Sequence, residues 1–375
     1  MTPARQATGV PPAEVIVGAP GSGKTRILLD YAVQLVDGGV HPDRIRLITP
    51  SRRQAAELLD ELGVRVARAT RGALAVSLPA FAFGLIRSDA EARGLEVPRL
   101  RSGADVDQDI AWVLAEQERS ASGPRWPEQL SAAVRSTEAF RTELRELIAR
   151  LTEWGLGSED LRNWAEVHPA WSAAADFLDD YERTIARSRP HDFDSAELLR
   201  VATSLVADGF VGDPGYQWVL FDDSQDMSPA TTALVQALAG QGVGVVLAGD
   251  PDVAAQTFRG ADPEGLSRVA SALGVAPRIL TEVHRHGPTL RRVVHDLSAR
   301  IGTALLGPQR QAQGTGPEGG AVIRALRAPS AQREAHDIAR ALRQRHLDHG
   351  VSYRDMAVVV RRAQHIPLLA MQLEH

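Results

Sequence analysis

Gly18-Ala19-Pro20-Gly21-Ser22-Gly23-Lys24-Thr25 fits G-x-x-x-x-G-K-S/T, the pattern of a phosphate-binding loop. Before it, Glu14-Val15-Ile16-Val17 reads as a short buried strand. After it, Arg26-Ile27-Leu28-Leu29-Asp30-Tyr31-Ala32 reads as a helix. The order has a physical reason: glycines let backbone N–H groups close on phosphate oxygens, and the helix N-terminus adds partial positive charge. Gly18, Gly21, Ser22 and Gly23 then form the cradle. Lys24 reaches the β- and γ-phosphates, and Thr25 offers its hydroxyl to Mg²⁺. Lys24 is the one lysine in 375 residues. The planar fork of arginine cannot imitate a compact ammonium between two phosphates.

Working outward, Arg44-Ile45-Arg46-Leu47-Ile48-Thr49 reads as a second buried strand, followed by Pro50-Ser51-Arg52-Arg53. A helix is expected over 54–62, with Gly63 as its stop. A strand at 73–77 and a helix from Phe81 continue the alternation, which implies a parallel, doubly wound sheet. Over 88–200 strand signals fade. Apolar residues recur at helical spacing, as in Ile110, Val113, Leu114 and Leu144, Leu147, Ile148, Leu151. Five of the six tryptophans (Trp112, Trp126, Trp154, Trp164, Trp171) lie here, and their spacing suits a helical core better than platforms for nucleobases.

The sheet resumes at Gln217-Trp218-Val219-Leu220-Phe221, followed by Asp222-Asp223-Ser224-Gln225-Asp226. An apolar strand ending in acids, downstream of a phosphate loop, is the place for a Mg²⁺-holding aspartate. Asp222 is expected to hold the ion and Asp223 to orient or deprotonate water; a strand running into a capped turn would look similar. A fifth strand at 243–248 runs into Gly249-Asp250-Pro251-Asp252, and Ile279-Leu280-Thr281 reads as a short last strand. A helix is expected over 288–300 and a Gly/Pro/Gln-rich linker or loop over 307–320. Strands at 321–326 and 357–362 flank a helix at 332–347 whose apolar face is Ile338, Leu342 and Leu347.

Composition bounds the rest. Hydrophobic residues make up 44% and charged residues 24%, as in a soluble globular chain. A net charge of −5 argues against a generally basic nucleic-acid coat and leaves room for a local basic groove. With no cysteine there is no disulfide, thiolate metal site or cysteine nucleophile. Met1-Thr2-Pro3-Ala4-Arg5-Gln6 lacks an apolar signal core, and no apolar run nears the roughly 20 residues of a membrane helix. A cytoplasmic protein with no membrane partner is expected.

With these motifs in order, the chain resembles the UvrD/Rep/RecB class of superfamily 1 helicases, most closely the AdnA/AdnB subunits of actinobacterial helicase-nucleases. Gly18–Thr25 corresponds to motif I. Residues 47–56, Leu-Ile-Thr-Pro-Ser-Arg-Arg-Gln-Ala-Ala, look like motif Ia, where the family contacts single-stranded DNA, and 77–87 resemble the TFHSFA segment. Phe221-Asp222-Asp223-Ser224-Gln225-Asp226 resembles VDEYQD. Residues 248–252 with Phe258-Arg259-Gly260-Ala261-Asp262 resemble GDPDQSIYRFRGAD; a small-molecule kinase on the same loop leaves that stretch without a role. Val283-His284-Arg285 sits where the family has NYR.

The resemblance implies an α/β P-loop NTPase, a RecA-like parallel sheet with an all-helical insertion and the start of a second RecA-like domain. It places the first motor domain at 1–87 plus 201–300, the insertion at 88–200, a linker at 301–320 and the start of the second motor domain at 321–375. It also implies ATP hydrolysis with Mg²⁺ coupled to 3′-to-5′ movement on single-stranded DNA in repair or recombination, and a partner helicase-nuclease subunit. Gln225 is expected to sense the γ-phosphate or water, Arg285 to reach the γ-phosphate, and His284 to stack on adenine. Thr49, Ser51, Arg52, Phe81, Phe258 and Arg259 are the expected DNA contacts.

Departures from the family pattern temper the activity. Asp223 stands where the family has glutamate, one methylene shorter, and a shift of that size can cost about 10²-fold in rate. Val253 replaces a γ-phosphate-sensing glutamine, Pro79 a histidine, and the adenine-reading glutamine has no match. The closing motifs of the second motor domain and a nuclease domain have no counterpart in these 375 residues. Weak or absent hydrolysis without autonomous unwinding is therefore expected, with a non-catalytic scaffold as the alternative.

Overall fold

The computed structural model describes residues 13–66, 68, 70–189, 191–212, 215–254, 260–301, 307–318, 325–362 and 365–373. The chain divides into two compact units, 1–319 and 320–375.

The first unit is built on a six-stranded, all-parallel sheet. In chain order its strands are β1 (Ala13–Val17), β2 (Ile45–Thr49) and β3 (Ala75–Ser77), separated by α1 (Lys24–Asp37) and α2 (Arg52–Arg65) and followed by α3 (Leu78–Arg93). A two-residue strand β4 (Arg99–Leu100) leads into helices α4 (Gly103–Ser120), α5 (Ala132–Arg135), α6 (Glu138–Trp154), α7 (Ser158–Trp164) and α8 (Ala170–Ser188). After β5 (Asp192–Phe193) and α9 (Ser195–Ala207) the sheet resumes with β6 (Trp218–Phe221), α10 (Pro229–Gly240), β7 (Gly244–Gly249), α11 (Gly265–Ala272) and β8 (Arg278–Ile279). The spatial order is β3-β2-β6-β7-β1-β8. This is the parallel, doubly wound α/β architecture expected from the alternating pattern, and it is consistent with the RecA-like sheet that the resemblance implies.

Side-chain alternation explains why the sheet is covered on both faces. Val15, Val17, Ile48, Val219, Phe221, Val245 and Leu247 enter one core with α3, α9, α10 and α11. Their neighbours Ile16, Leu47, Trp218, Leu220, Val246 and Ala248 enter the opposite core with α1 and α2. A third core belongs to the helices alone: Ile110, Val113 and Leu114 of α4 meet Leu144, Ile148 and Leu151 of α6 and Phe177 of α8. Helix α9 is not part of that third core. It buries Leu198, Leu199, Ala202 and Val206 against the sheet layer, packing on α3 and α10. The helical layer is pinned to α9 by buried Arg101, which donates to Asp109 Oδ2 at 3.3 Å, Tyr181 OH at 3.1 Å and Glu197 Oε2 at 2.7 Å.

Two local expectations fail for identifiable reasons. Gly63 does not stop α2, which continues to Arg65, because Leu62 stays in the core and Val66 provides the cap. Trp112, Trp154 and Trp164 are exposed rather than core. Trp112 lies two residues from Ile110, off the buried stripe, and is 55% accessible. Trp154 and Trp164 are the last residues of their helices, where the stripe ends. Only Trp126 and Trp171 of the five pack on the helical core.

The end of the first unit is more ordered than a loop. After β9 (Glu282–Val283) and α12 (Pro288–Ser298), a 3-10 turn at Pro308–Gln311 precedes β10 (Gln313–Gly314), which pairs in parallel with β9. Buried Arg291 donates to the carbonyls of Gln309, Arg310 and Ala312.

The second unit contains α13 (Ala331–His349) and α14 (Ile366–Leu373). The strand expected at 321–326 falls largely outside the described residues. No strand forms at 357–362, where no ladder partner is present among the described residues and Val359 is exposed. Of α13 only Ala335 is buried, and Leu347 is exposed.

Leu198→Ala should lower the unfolding free energy by about 2–5 kcal/mol, because it opens a cavity between α9 and the sheet. The shift in the urea midpoint measures it.

Candidate functional site

The site lies at the carboxyl ends of three adjacent strands, the usual crevice of an open parallel sheet. Val17 of β1 is level with Gly249 of β7, and Leu247 is level with Phe221 of β6. The chain leaves β1 into 18–23, leaves β7 into Asp250 and leaves β6 into Asp222. The exits of β1 and β6 line a cleft of about 810 Å³ that also includes Arg26, Gln54, Glu57, Glu61, His284 and Arg285, and Val253 reaches it from the segment that follows β7.

The loop 18–23 is held in a nest by two left-handed glycines, Gly21 at φ 80° and Gly23 at φ 86°. A methyl on Gly21 would meet Arg285 Cβ at 2.7 Å, so the 283–285 segment lies directly over the loop. The His284 N–H donates to Gly21 O at 2.9 Å and fixes that approach. Ser22 Oγ is buried without a hydrogen-bond partner. Lys24 opens α1, and its ammonium donates to Gly18 O at 2.8 Å and Ala19 O at 3.2 Å. Burial pulls the Lys24 pKa down, opposed by the charges of Asp250, Asp223 and Asp222.

Thr25 Oγ1 donates to Asp222 Oδ2 at 2.8 Å, joining the start of α1 to the end of β6. Burial pushes the Asp222 carboxyl up to about 6, with the neighbouring Asp223 charge adding to the effect. Asp250 is pushed up by burial as well. Asp223 has a left-handed backbone (φ 48°, ψ 43°), and its carboxylate accepts from Gln54 Nε2 at 2.9 Å and Gln225 Nε2 at 3.3 Å. Gln225 Oε1 in turn accepts from the Asp250 N–H at 3.1 Å.

The structure therefore gathers Gly18, Gly21, Ser22, Gly23, Lys24, Thr25, Asp222, Asp223, Gln225, His284 and Arg285 around one cleft. The donor set suits a hard cation with phosphate, because a hydroxyl and a carboxylate stand side by side beside a glycine cradle. Among the described residues no cluster of three or more His, Cys, Asp or Glu forms a metal cage. An ion there would need ligand oxygens to complete its shell.

The DNA expectations divide. Ser51 caps α2 and Arg52 is exposed at its first turn. Thr49 is 1% accessible, with its hydroxyl donating to Ser51 O at 2.9 Å, and Phe81 is 3% accessible, packed on Tyr216. Both are expected DNA contacts, and both side chains are buried. Phe81 is drawn inward because α3 starts at Leu78 and turns that side chain onto the sheet. Phe258 and Arg259 lie outside the described residues.

Two features escaped the sequence reading. Gln54 lies three residues after Ser51, a spacing that resembles an ordinary capping box. Gln309 and Arg310 reach Asp252 at 3.1 and 2.8 Å, and Gln309 also reaches Asp250 at 3.4 Å; no local pattern marks a contact that long.

Comparison with known proteins agrees with this geometry. A family model described as UvrD/REP helicase N-terminal domain matches residues 4–273. The chain is similar to the ATP-dependent DNA helicase Rep of Salmonella typhimurium, at 22% identity over 362 residues, which is 93% of this chain and 50% of that protein. It thus spans about half the length of this curated relative.

The Asp222 shift has a definite sign. A pKa raised from 3.8 to about 6 means that the folded state holds the proton more tightly than the unfolded chain. The stability this gives is present below 3.8 and is lost as pH rises through about 6. Asp222→Asn removes the titration, so the fall in unfolding free energy across that window should become shallower in urea titrations at stepped pH.

Proposed function

The chain belongs to the UvrD/REP helicase N-terminal domain family, and from that premise we propose that it binds ATP with Mg²⁺ in the 18–25/222–225 cleft and single-stranded DNA nearby. The carrying observation is the 2.8 Å hydrogen bond from Thr25 to Asp222 beside the half-buried ammonium of Lys24. In this reading Gly18, Gly21, Ser22 and Gly23 direct backbone N–H groups at the phosphates, and Lys24 bridges the β- and γ-oxygens. Thr25 and Asp222 hold Mg²⁺, which when bound neutralises charge on the β- and γ-oxygens. Asp223 orients the attacking water and accepts its proton. Gln225 fixes Asp223 and senses the γ-phosphate. Arg285, lying over the loop, reaches the γ-phosphate, and His284 stacks on adenine. Ser51 and Arg52 carry the DNA contact among the described residues, joined by Phe258 and Arg259.

The wider reading follows the resemblance. The chain is the N-terminal part of a 3′-to-5′ DNA helicase motor acting in repair or recombination, working beside a helicase-nuclease subunit in the cytoplasm. Among the described residues no helix is long and apolar enough to cross a membrane. Hydrolysis by this chain alone is weak, because Asp223 is short for its task.

One observation favours a second reading. Val253 lines the cleft and is 42% accessible, where a hydrogen-bonding side chain is expected. A scaffold that binds DNA passively would tolerate that substitution. In such a scaffold nucleotide leaves DNA affinity unchanged, whereas in a motor it changes it.

Lys24→Ala should weaken ATP binding by about 30-fold or more, since removing one buried charged partner costs about 2 kcal/mol at least. Steady-state ATPase with and without single-stranded DNA should be low in the wild-type chain. Brisk DNA-stimulated turnover would refute the weak motor, and no ATP binding would refute the site.

A further inference from the structure

Two side-chain amides grip the Asp223 carboxylate, one on each oxygen. Gln225 comes from the same turn and is anchored to the end of β7 through Asp250 N–H. Gln54 comes from α2, and its Nε2 donates to Asp223 Oδ2 at 2.9 Å. Its Oε1 accepts from Ser51 Oγ at 2.8 Å, while Ser51 Oγ accepts from the Gln54 N–H at 3.2 Å. Chemistry fixes the amide orientation: a carboxylate only accepts, so the NH₂ faces Asp223 and the carbonyl is left for the hydroxyl. The result is a continuous path, Ser51 hydroxyl to Gln54 amide to Asp223 carboxylate, from the outer turn of α2 to the cleft.

A helix cap alone does not need this arrangement. In a capping box the side chain at this position returns to the N–H of the capping residue. Here its nitrogen spans to Asp223 instead. Asp223 also has a left-handed backbone, which a non-glycine residue keeps only where its neighbours over-determine it. Gln54 is one of those neighbours.

We propose that Gln54 is a positioning residue that couples a strand phosphate at Ser51 and Arg52 to the orientation of Asp223. The inference rests on the cleft binding nucleotide and on α2 meeting single-stranded DNA, and it names the link between them. The switch is one proton. The Ser51 hydroxyl donates to one acceptor at a time, either Gln54 Oε1 or a phosphate oxygen. When a phosphate takes it, the Gln54 amide is released and the Asp223 carboxylate is free to turn toward water. Val253 takes no part in this route.

The test is an equilibrium measurement that needs no turnover. The Kd of a fluorescent, non-hydrolysable ATP analogue with Mg²⁺ is measured with and without saturating oligo-dT. In the wild-type chain DNA should change this Kd by about tenfold, within the usual range of coupling between sites. Gln54→Leu and Gln54→Glu both delete the donor at nearly constant size. In each, the change should shrink to about twofold or less, while the two ligands still bind singly and thermal melting stays cooperative. If one variant fails to fold, the other carries the reading. An unchanged ratio in a folded variant overturns the proposal, as does a wild-type ratio of one. Because deleting the amide mimics its release, the DNA-free Kd of each variant should lie between the two wild-type values; a DNA-free Kd tenfold or more outside that range overturns the proposal, because it marks a merely structural role. Failure of the wild-type chain to bind the analogue at all sinks the site itself, a separate outcome.

Discussion

The cleft exists because β1, β7 and β6 lie side by side, run the same way and end level. A parallel ladder fixes that alignment residue by residue, from Val17 at Gly249 to Phe221 at Leu247. A slip of one residue would invert each strand's two faces and send valines meant for one core into the other. The two cores, one lined by Val15 and Val219 and the other by Ile16 and Leu220, therefore hold Lys24 and Asp222 in reach of each other. The 2.8 Å bond from Thr25 to Asp222 closes the arrangement.

The electrostatics have a shared origin. Burial lowers the pKa of Lys24 and raises those of Asp222 and Asp250, so desolvation presses on charges of both signs in one place. Groups of both signs perturbed by burial in one cleft are a feature of functional sites. The strained backbone of Asp223 belongs to the same pattern, held by amides from two different elements.

The sheet was legible because its signals are local. Val, Ile and Leu runs bounded by Gly, Pro and Asp mark strands, and the glycines around Lys24 announce a left-handed nest that the φ values of Gly21 and Gly23 bear out. What escaped is non-local. Gln54 looks like a cap residue until Asp223 is beside it, and Gln309 looks like linker until Asp250 and Asp252 are. Phe81 illustrates the opposite case: a motif position suggests a DNA contact, but the entry point of α3 decides which way the ring faces. Trp112 shows that helical periodicity locates a stripe without saying which large residue lies on it.

The solitary lysine has an analytical consequence. The chain offers one side-chain amine, and it is the group at the heart of the cleft. Burial holds its pKa below that of an ordinary lysine. An amine-selective acylating reagent therefore has a single side chain to modify. An endoproteinase that cuts after lysine has a single internal bond to cut, the one between Lys24 and Thr25. Mass spectrometry of the labelled or cleaved chain would report on this one position without any engineered tag.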